Sequence, residues 1–305
     1  MNPVEQALEV IRNGGLVAIP TETVYGLAAD ASNETAVRRI FAAKGRPADH
    51  PLIVHIAGAE QLPQWAAFVP PTAAVLAATC WPGPLTVLVP KADHVLSVVT
   101  GGRSSVGVRV PAHPLTTELL RRFEGGLAAP SANRFGRVSP TTAEHVRRDL
   151  DGLVDFVLDG GPCPVGVEST IVDCTTDPPQ VLRHGGIPTE QIEQLLIGGL
   201  APAAGPSRAA GMLVSHYAPA CRVLLADTRV QADETAATEA GRGLRVDVLD
   251  GTNDLARYAQ QLYAWLRDAD DRGLDTVVAV LPPAQGLGHA IRDRLHKAAA
   301  AHPPR

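Results

Sequence analysis

The sequence predicts an α/β protein in two parts, a mixed domain with a large sheet followed by a small parallel one. Three observations carry that reading. Short apolar runs bounded by turn residues are interspersed with amphipathic stretches over the first two thirds of the chain. From Gly198 to Ser215, Gly, Ala, Pro and Ser dominate and no periodicity survives, which marks a linker. Beyond it strands and helices alternate regularly, the pattern of βαβ units. The implied divisions are 1–197, a linker 198–218, and 219–305.

Each element follows from its own residues. Val4, Leu8 and Ile11 keep helical spacing, and Gly14-Gly15 stops that helix. Leu16 to Pro20 is a short buried strand feeding a Thr-Glu-Thr turn. From Glu34 to Lys44, Val37, Ile40 and Phe41 share one helical face and Arg38 and Arg39 another, and Pro47 forbids continuation. Leu52 to Ile56 is a strand with His55 inside it, and 71–80 is an Ala-rich helix. Further strands are expected at 85–89, 106–110, 127–129, 156–158, 169–173 and 180–183, with helices at 114–123, 141–150 and 188–196. In the last part, strands 222–225, 244–249 and 276–281 alternate with helices 232–240, 255–268 and 288–300, a small Rossmann-like arrangement.

A chain of 305 residues that is 45% hydrophobic and 19% charged can bury a sizeable core. Its net charge is −5, with 16 Lys+Arg against 20 Asp+Glu before Pro219 and 11 against 12 from it onward. Neither part has the basic excess of a nucleic-acid glove, so direct nucleic-acid contact is left open only as a local patch. Cys80, Cys163, Cys174 and Cys221 form no Cys-x-x-Cys pair, so zinc or redox chemistry is not expected. The first helix lacks the apolar core of a signal peptide, and no run of about 18 apolar residues exists. The expectation is a soluble, cytoplasmic protein without a membrane partner.

Polar and basic residues recur at the ends of apolar runs, where burial is costly unless they are paired or bind a ligand. Lys44 and Arg46 flank a glycine at a helix end and can aim two cations at one phosphate, although cations also favour helix C-termini. Arg109, among valines, either points to an open face or clamps a carboxylate, and Arg183 poses the same question. Ser131 and Asn133 can cap a turn or bind phosphate or ribose. Glu22 and Glu168 are acids or bases, or else buried structural acceptors, the reading favoured here. His55 taken alone reads as a core histidine. No Gly-x-Ser-x-Gly elbow is present, and Gly286-Leu287-Gly288 does not complete a dinucleotide fingerprint.

Their combination is more specific. PTETVYGLAAD, Lys44-x-Arg46, HPLIVHI, WPGPLTVLVP, Ser131-x-Asn133, GVESTIVD and VLRHGGI follow in this order, and His216-Tyr217-Ala218-Pro219 lies in the linker. The chain thereby resembles the YrdC-like domain, in the long form of the L-threonylcarbamoyladenylate synthases. The resemblance implies a twisted mixed sheet around a deep basic cavity. It implies condensation of L-threonine, bicarbonate or CO2, and ATP, with Mg2+ carried on the ATP phosphates and no separate metal site. The product would pass to a separate tRNA threonylcarbamoyltransferase. By the same resemblance Lys44, Arg46, Ser131 and Asn133 form the catalytic set around the phosphates, with His50, Ser105, Ser139, Arg183 and Tyr217 as further ATP contacts. Thr23, His55, Arg109, Ala129 and Ser169 match the threonine side. The sequence departs from the family at His50, where Asn is common, at Ser105, where Thr is frequent, and at Ala209-Ala210-Gly211-Met212, which lacks a Pro. A carbamoyltransferase using a carbamoyl adenylate, and a non-enzymatic RNA-binding module, are the alternatives; absent cysteine pairs disfavour the first, and the charge and 4% aromatic content the second.

Overall fold

The computed structural model describes residues 2–201 and 217–301. Among them, nine strands form one sheet: β1 (Val17–Ile19), β2 (Gly26–Asp30), β3 (Ile53–His55), β4 (Leu85–Pro90), β5 (Ser105–Arg109), β6 (Leu127–Ala128), β7 (Phe156–Val157), β8 (Thr170–Asp173) and β9 (Gln180–Arg183). Their order is β7-β1-β2-β6-β3-β5-β4-β8-β9. The pairs β1–β7, β3–β5 and β4–β8 are parallel, and the remaining neighbours are antiparallel. The sheet is therefore mixed, as the alternation of short strands and helices implies. Register already assembles part of a site, because β3 and β5 place His55 beside Arg109.

Local chemistry sets the helix limits. Asn2 and Glu5 form a reciprocal capping box at the start of Pro3–Arg12, which buries Val4, Ala7, Leu8 and Ile11. Asn33 accepts from the Ala36 amide at 3.1 Å to open Glu34–Lys44. Gly45 ends that helix at φ 62, a left-handed turn that only glycine adopts without strain. This reversal sends Lys44 and Arg46 to different places.

One strand was not legible. Gly26–Asp30, all Gly, Leu, Ala and Asp, has no β-branched residue, yet it sits mid-sheet between β1 and β6. Tertiary pairing there outweighs weak propensity. The glycine and alanines also permit close approach: a Cβ on Gly26 would stand 3.3 Å from that of Ala129. The short helices Ala59–Gln61, Leu62–Trp65 and Ser97–Thr100 were likewise not expected.

The last part forms a parallel three-stranded sheet, β10 (Arg222–Ala226), β12 (Thr276–Val280) and β11 (Val246–Leu249) in that spatial order. Helices Arg229–Gly241, Leu255–Asp271 and Leu287–Ala300 accompany it. It docks on the first domain rather than hanging from it. Val24, Val138 and Val167 belong to one apolar cluster with Tyr258, Leu262 and Leu266. Arg267 donates to Asp149 at 2.9 and 2.6 Å across the contact. Gly166, at φ 79, lies so near Leu255–Asp271 that a Cβ would stand 2.4 Å from the Gln260 Cα. At the edges of the linker, Ala201 bridges to Gln180 and Ala218 to Arg137. His216 and Ala209–Met212 lie outside the described residues.

Candidate active site

A cavity opens where several strands end. Arg109 enters it from the end of β5, His55 from β3, Arg183 from β9, and Ala129 and Ser131 from the segment after β6. Thr21 and Thr23 come from the turn after β1, and Ser169 from the approach to β8. Arg46, just past the Gly45 reversal, Glu168 and Tyr217 also line it. The three arginines are 9%, 4% and 6% exposed at 46, 109 and 183, so their charges are buried rather than solvated.

Acceptors steer each arginine, and on Arg46 and Arg109 they leave one nitrogen without an aligned partner. Arg46 donates to the Pro51 carbonyl at 3.1 Å and lies over the Phe135 ring at 5.8 Å, while its Nε has no partner. Burial, with Arg183 nearby, lowers its pKa to about 10 despite Tyr217 and Asp49, which leaves it charged at neutral pH. Arg109 donates through Nε to the Gly83 carbonyl at 3.3 Å. Its Nη2 stands 2.8 Å from Glu22 Oε1, but the two are not aligned as a hydrogen bond. A buried guanidinium held close to its counter-ion without alignment keeps donor capacity for a carboxylate. Arg183 donates to the Ser169 carbonyl and hydroxyl, each at 3.0 Å.

The hydroxyls form a linked set. Thr21 and Thr23 share a 2.8 Å hydrogen bond, and Thr21 donates to the Val24 carbonyl at 2.6 Å. Ser169 meets Thr86 at 2.8 Å. Glu22 accepts from the Ala112 amide at 3.0 Å. Glu168 accepts from Ser139 at 2.7 Å, from Arg294 at 2.8 Å and from the Tyr263 hydroxyl. Burial raises the Glu168 pKa, but Arg294 and Arg183 outweigh it and hold the group at about 2. Both acids are structural acceptors here, which supports the bland alternative for them. His55 is driven down to about 3 by burial and Arg109, so its ring is neutral.

Lys44 and Arg46 do not line the cavity together: Arg46 is part of its wall and Lys44 is not. Lys44 is 2% exposed and points behind the cavity, where its ammonium donates to the Ser131 and Asn133 carbonyls at 2.6 and 2.5 Å. It pins the Ser131–Asn133 segment. Asn133 is also behind the wall, donating to the Arg134 and Arg137 carbonyls. Ser139 is engaged by Glu168. His50 and Ser105 are half-buried and outside the cavity lining, with the His50 ring 5.3 Å from Phe135.

The comparisons with known proteins fit this layout. A family model described as Telomere recombination, for Sua5, YciO and YrdC proteins, matches residues 9–185. A second, described as Threonylcarbamoyl-AMP synthase, C-terminal domain, matches 187–300. A threonylcarbamoyl-AMP synthase of Pyrococcus abyssi is 43% identical, over 94% of this chain and 91% of its own. The chain belongs to the threonylcarbamoyl-AMP synthase family. A synthase of Bacillus subtilis is 42% identical over 97% of this chain and 92% of its own. The crystal structure of P. abyssi Sua5 complexed with L-threonine superposes with a TM-score of 0.92 at 42% identity, covering 97% and 94% of the two chains.

Two residues of this synthase-family site escaped the sequence reading. Arg294 and Tyr263 reach Glu168 from the second domain. A signal was present: Arg294 shares the buried stripe of Leu287–Ala300 with Ile291, Leu295 and Ala298, where an apolar residue is the rule.

Proposed function

We propose that the chain condenses L-threonine, CO2 from bicarbonate, and ATP to L-threonylcarbamoyladenylate and pyrophosphate, acting as a nucleotidyltransferase. The observation that carries the reading is the convergence of Arg46, Arg109 and Arg183 with hydroxyls in a cavity whose lining acid, Glu168, is paired with Arg294. Such a site orients anions; among the described residues it presents no activated nucleophile.

The chemistry asks for that. The threonine amine adds to CO2 and loses a proton, giving a carbamate. A carbamate oxygen then attacks the α-phosphorus, and the bond to pyrophosphate breaks. Alignment and charge stabilisation dominate such a transfer. Arg109 takes the threonine carboxylate, with Thr23, His55, Ala129 and Ser169 around the side chain; the P. abyssi relative was crystallised with L-threonine. Arg46, Ser131, Arg183 and Tyr217 form the nucleotide side. Lys44 and Asn133 shape it by holding the Ser131 segment. Burial keeps water from the carbamate and the mixed anhydride.

Bound on the nucleotide phosphates, Mg2+ would supply charge neutralisation. No three His, Cys, Asp or Glu side chains gather among the described residues. The product serves a downstream transferase that modifies tRNA. No described helix is long and apolar enough to cross a membrane; a cytoplasmic location agrees with substrates found there.

Incubation with ATP, L-threonine and 13C-bicarbonate, followed by mass spectrometry, tests the reading. The product should be an AMP adduct carrying one threonine and one labelled carbon. AMP without labelled adduct would contradict it.

A further inference from the structure

Arg294 sits on the buried stripe of Leu287–Ala300 with a side chain 0% exposed. Its Nε donates to Glu168 at 2.8 Å and its Nη1 to Asp293 at 2.5 Å, while Nη2 meets no acceptor. Its guanidinium carbon lies 5.1 Å from the centroid of the Tyr217 ring. Tyr217 lines the cavity, is 1% exposed, and has a backbone φ of 62. A bulky residue rarely adopts that left-handed conformation, and it persists only where the surroundings over-determine it. The second domain supplies part of those surroundings. The Tyr263 ring stacks on Tyr217 at 5.6 Å and 28°, and its hydroxyl shares Glu168 with Arg294. Arg294 also balances the buried Glu168 carboxylate, so its charge pairing and its contact with Tyr217 have to be separated by the test.

We propose that Arg294 is a positioning residue of the active site, supplied by the second domain. It holds the Tyr217 ring at the cavity wall through a cation–π contact, with Glu168 fixing the guanidinium in turn. Arg294 does not line the cavity; it acts through Tyr217. The docked domain thus completes the nucleotide side of the pocket. This rests on the ATP-dependent reading above.

The test is a double-mutant cycle on the full chain with Arg294→Met, Arg294→Lys, Tyr217→Leu and both double variants. Melting temperature, KM for each substrate, and affinity for a non-hydrolysable ATP analogue are measured for each. Arg294→Met should raise KM for ATP roughly 5- to 30-fold, the weight of a desolvated cation–π contact, and leave KM for L-threonine within about twofold. In the Tyr217→Leu background it should add nothing, because the ring it positions is gone. Arg294→Lys should keep the melting temperature, through its charge toward Glu168, and recover part of the KM; it carries the test if Arg294→Met does not fold. Effects that multiply with Tyr217→Leu, or a folded Arg294 variant with unchanged KM for ATP and analogue affinity, would overturn the proposal. If the wild type shows no threonine-dependent turnover, the synthase reading fails separately, and the analogue-binding cycle still decides the coupling.

Discussion

Arg109 and Lys44 show how much a side chain's partners decide about its role. Arg109 is the counter-ion of buried Glu22, so Arg109→Ala would strand that acid and lose stability, about 3–5 kcal/mol for a broken buried pair, together with any substrate contact. Arg109→Lys separates the two. It keeps a cation for Glu22 but loses the fork, and KM for L-threonine should rise about tenfold or more while the melting temperature changes little. Steady-state kinetics beside a thermal melt checks this. Lys44→Met leaves the Ser131 and Asn133 carbonyls without their donor. Denaturant unfolding should show a loss of about 1–3 kcal/mol. The motif Lys44-x-Arg46 was legible as chemistry, but which cation faces the cavity was not. That depends on the Gly45 reversal and on carbonyls 87 and 89 residues away.

At the scale of elements, two glycines with positive φ make a contrast. Gly45 (φ 62) has open space around its Cβ position, whereas Gly166 (φ 79) abuts the backbone of Leu255–Asp271. Gly45→Ala should cost only about 1 kcal/mol of conformational strain. Gly166→Ala adds an overlap that only movement of the docked helix relieves, so the loss should exceed that of Gly45→Ala by about 1–3 kcal/mol. Equilibrium unfolding of both variants checks the order. Most helices and strands were legible because their apolar spacing repeats. Gly26–Asp30 was not, because its place in the sheet comes from neighbours, and neither was the docking of the second domain. Arg294 and Arg267 carry that docking, paired with Glu168 and Asp149.

For the whole molecule, buried titratable groups set the acid limit. His55 (about 3) and His145 (about 4) are held down chiefly by burial and nearby arginines. Glu168, about 2, is held down by Arg294 and Arg183 against burial. In each case the unfolded chain binds the proton more readily between its ordinary value, 6.5 or 4.5, and the folded one, so stability rises with pH across that window. Melting temperature should fall below about pH 6.5 as the histidines protonate in the unfolded state, and fall more steeply below about 4.5. Melts across buffers check the two breaks. The central claim, that three buried arginines and a docked second domain form one site for adenylating a threonine carbamate, is tested most directly by pyrophosphate release from ATP and magnesium. The account predicts release that requires both L-threonine and bicarbonate. Release indifferent to either, or none from folded protein that binds ATP, would contradict it.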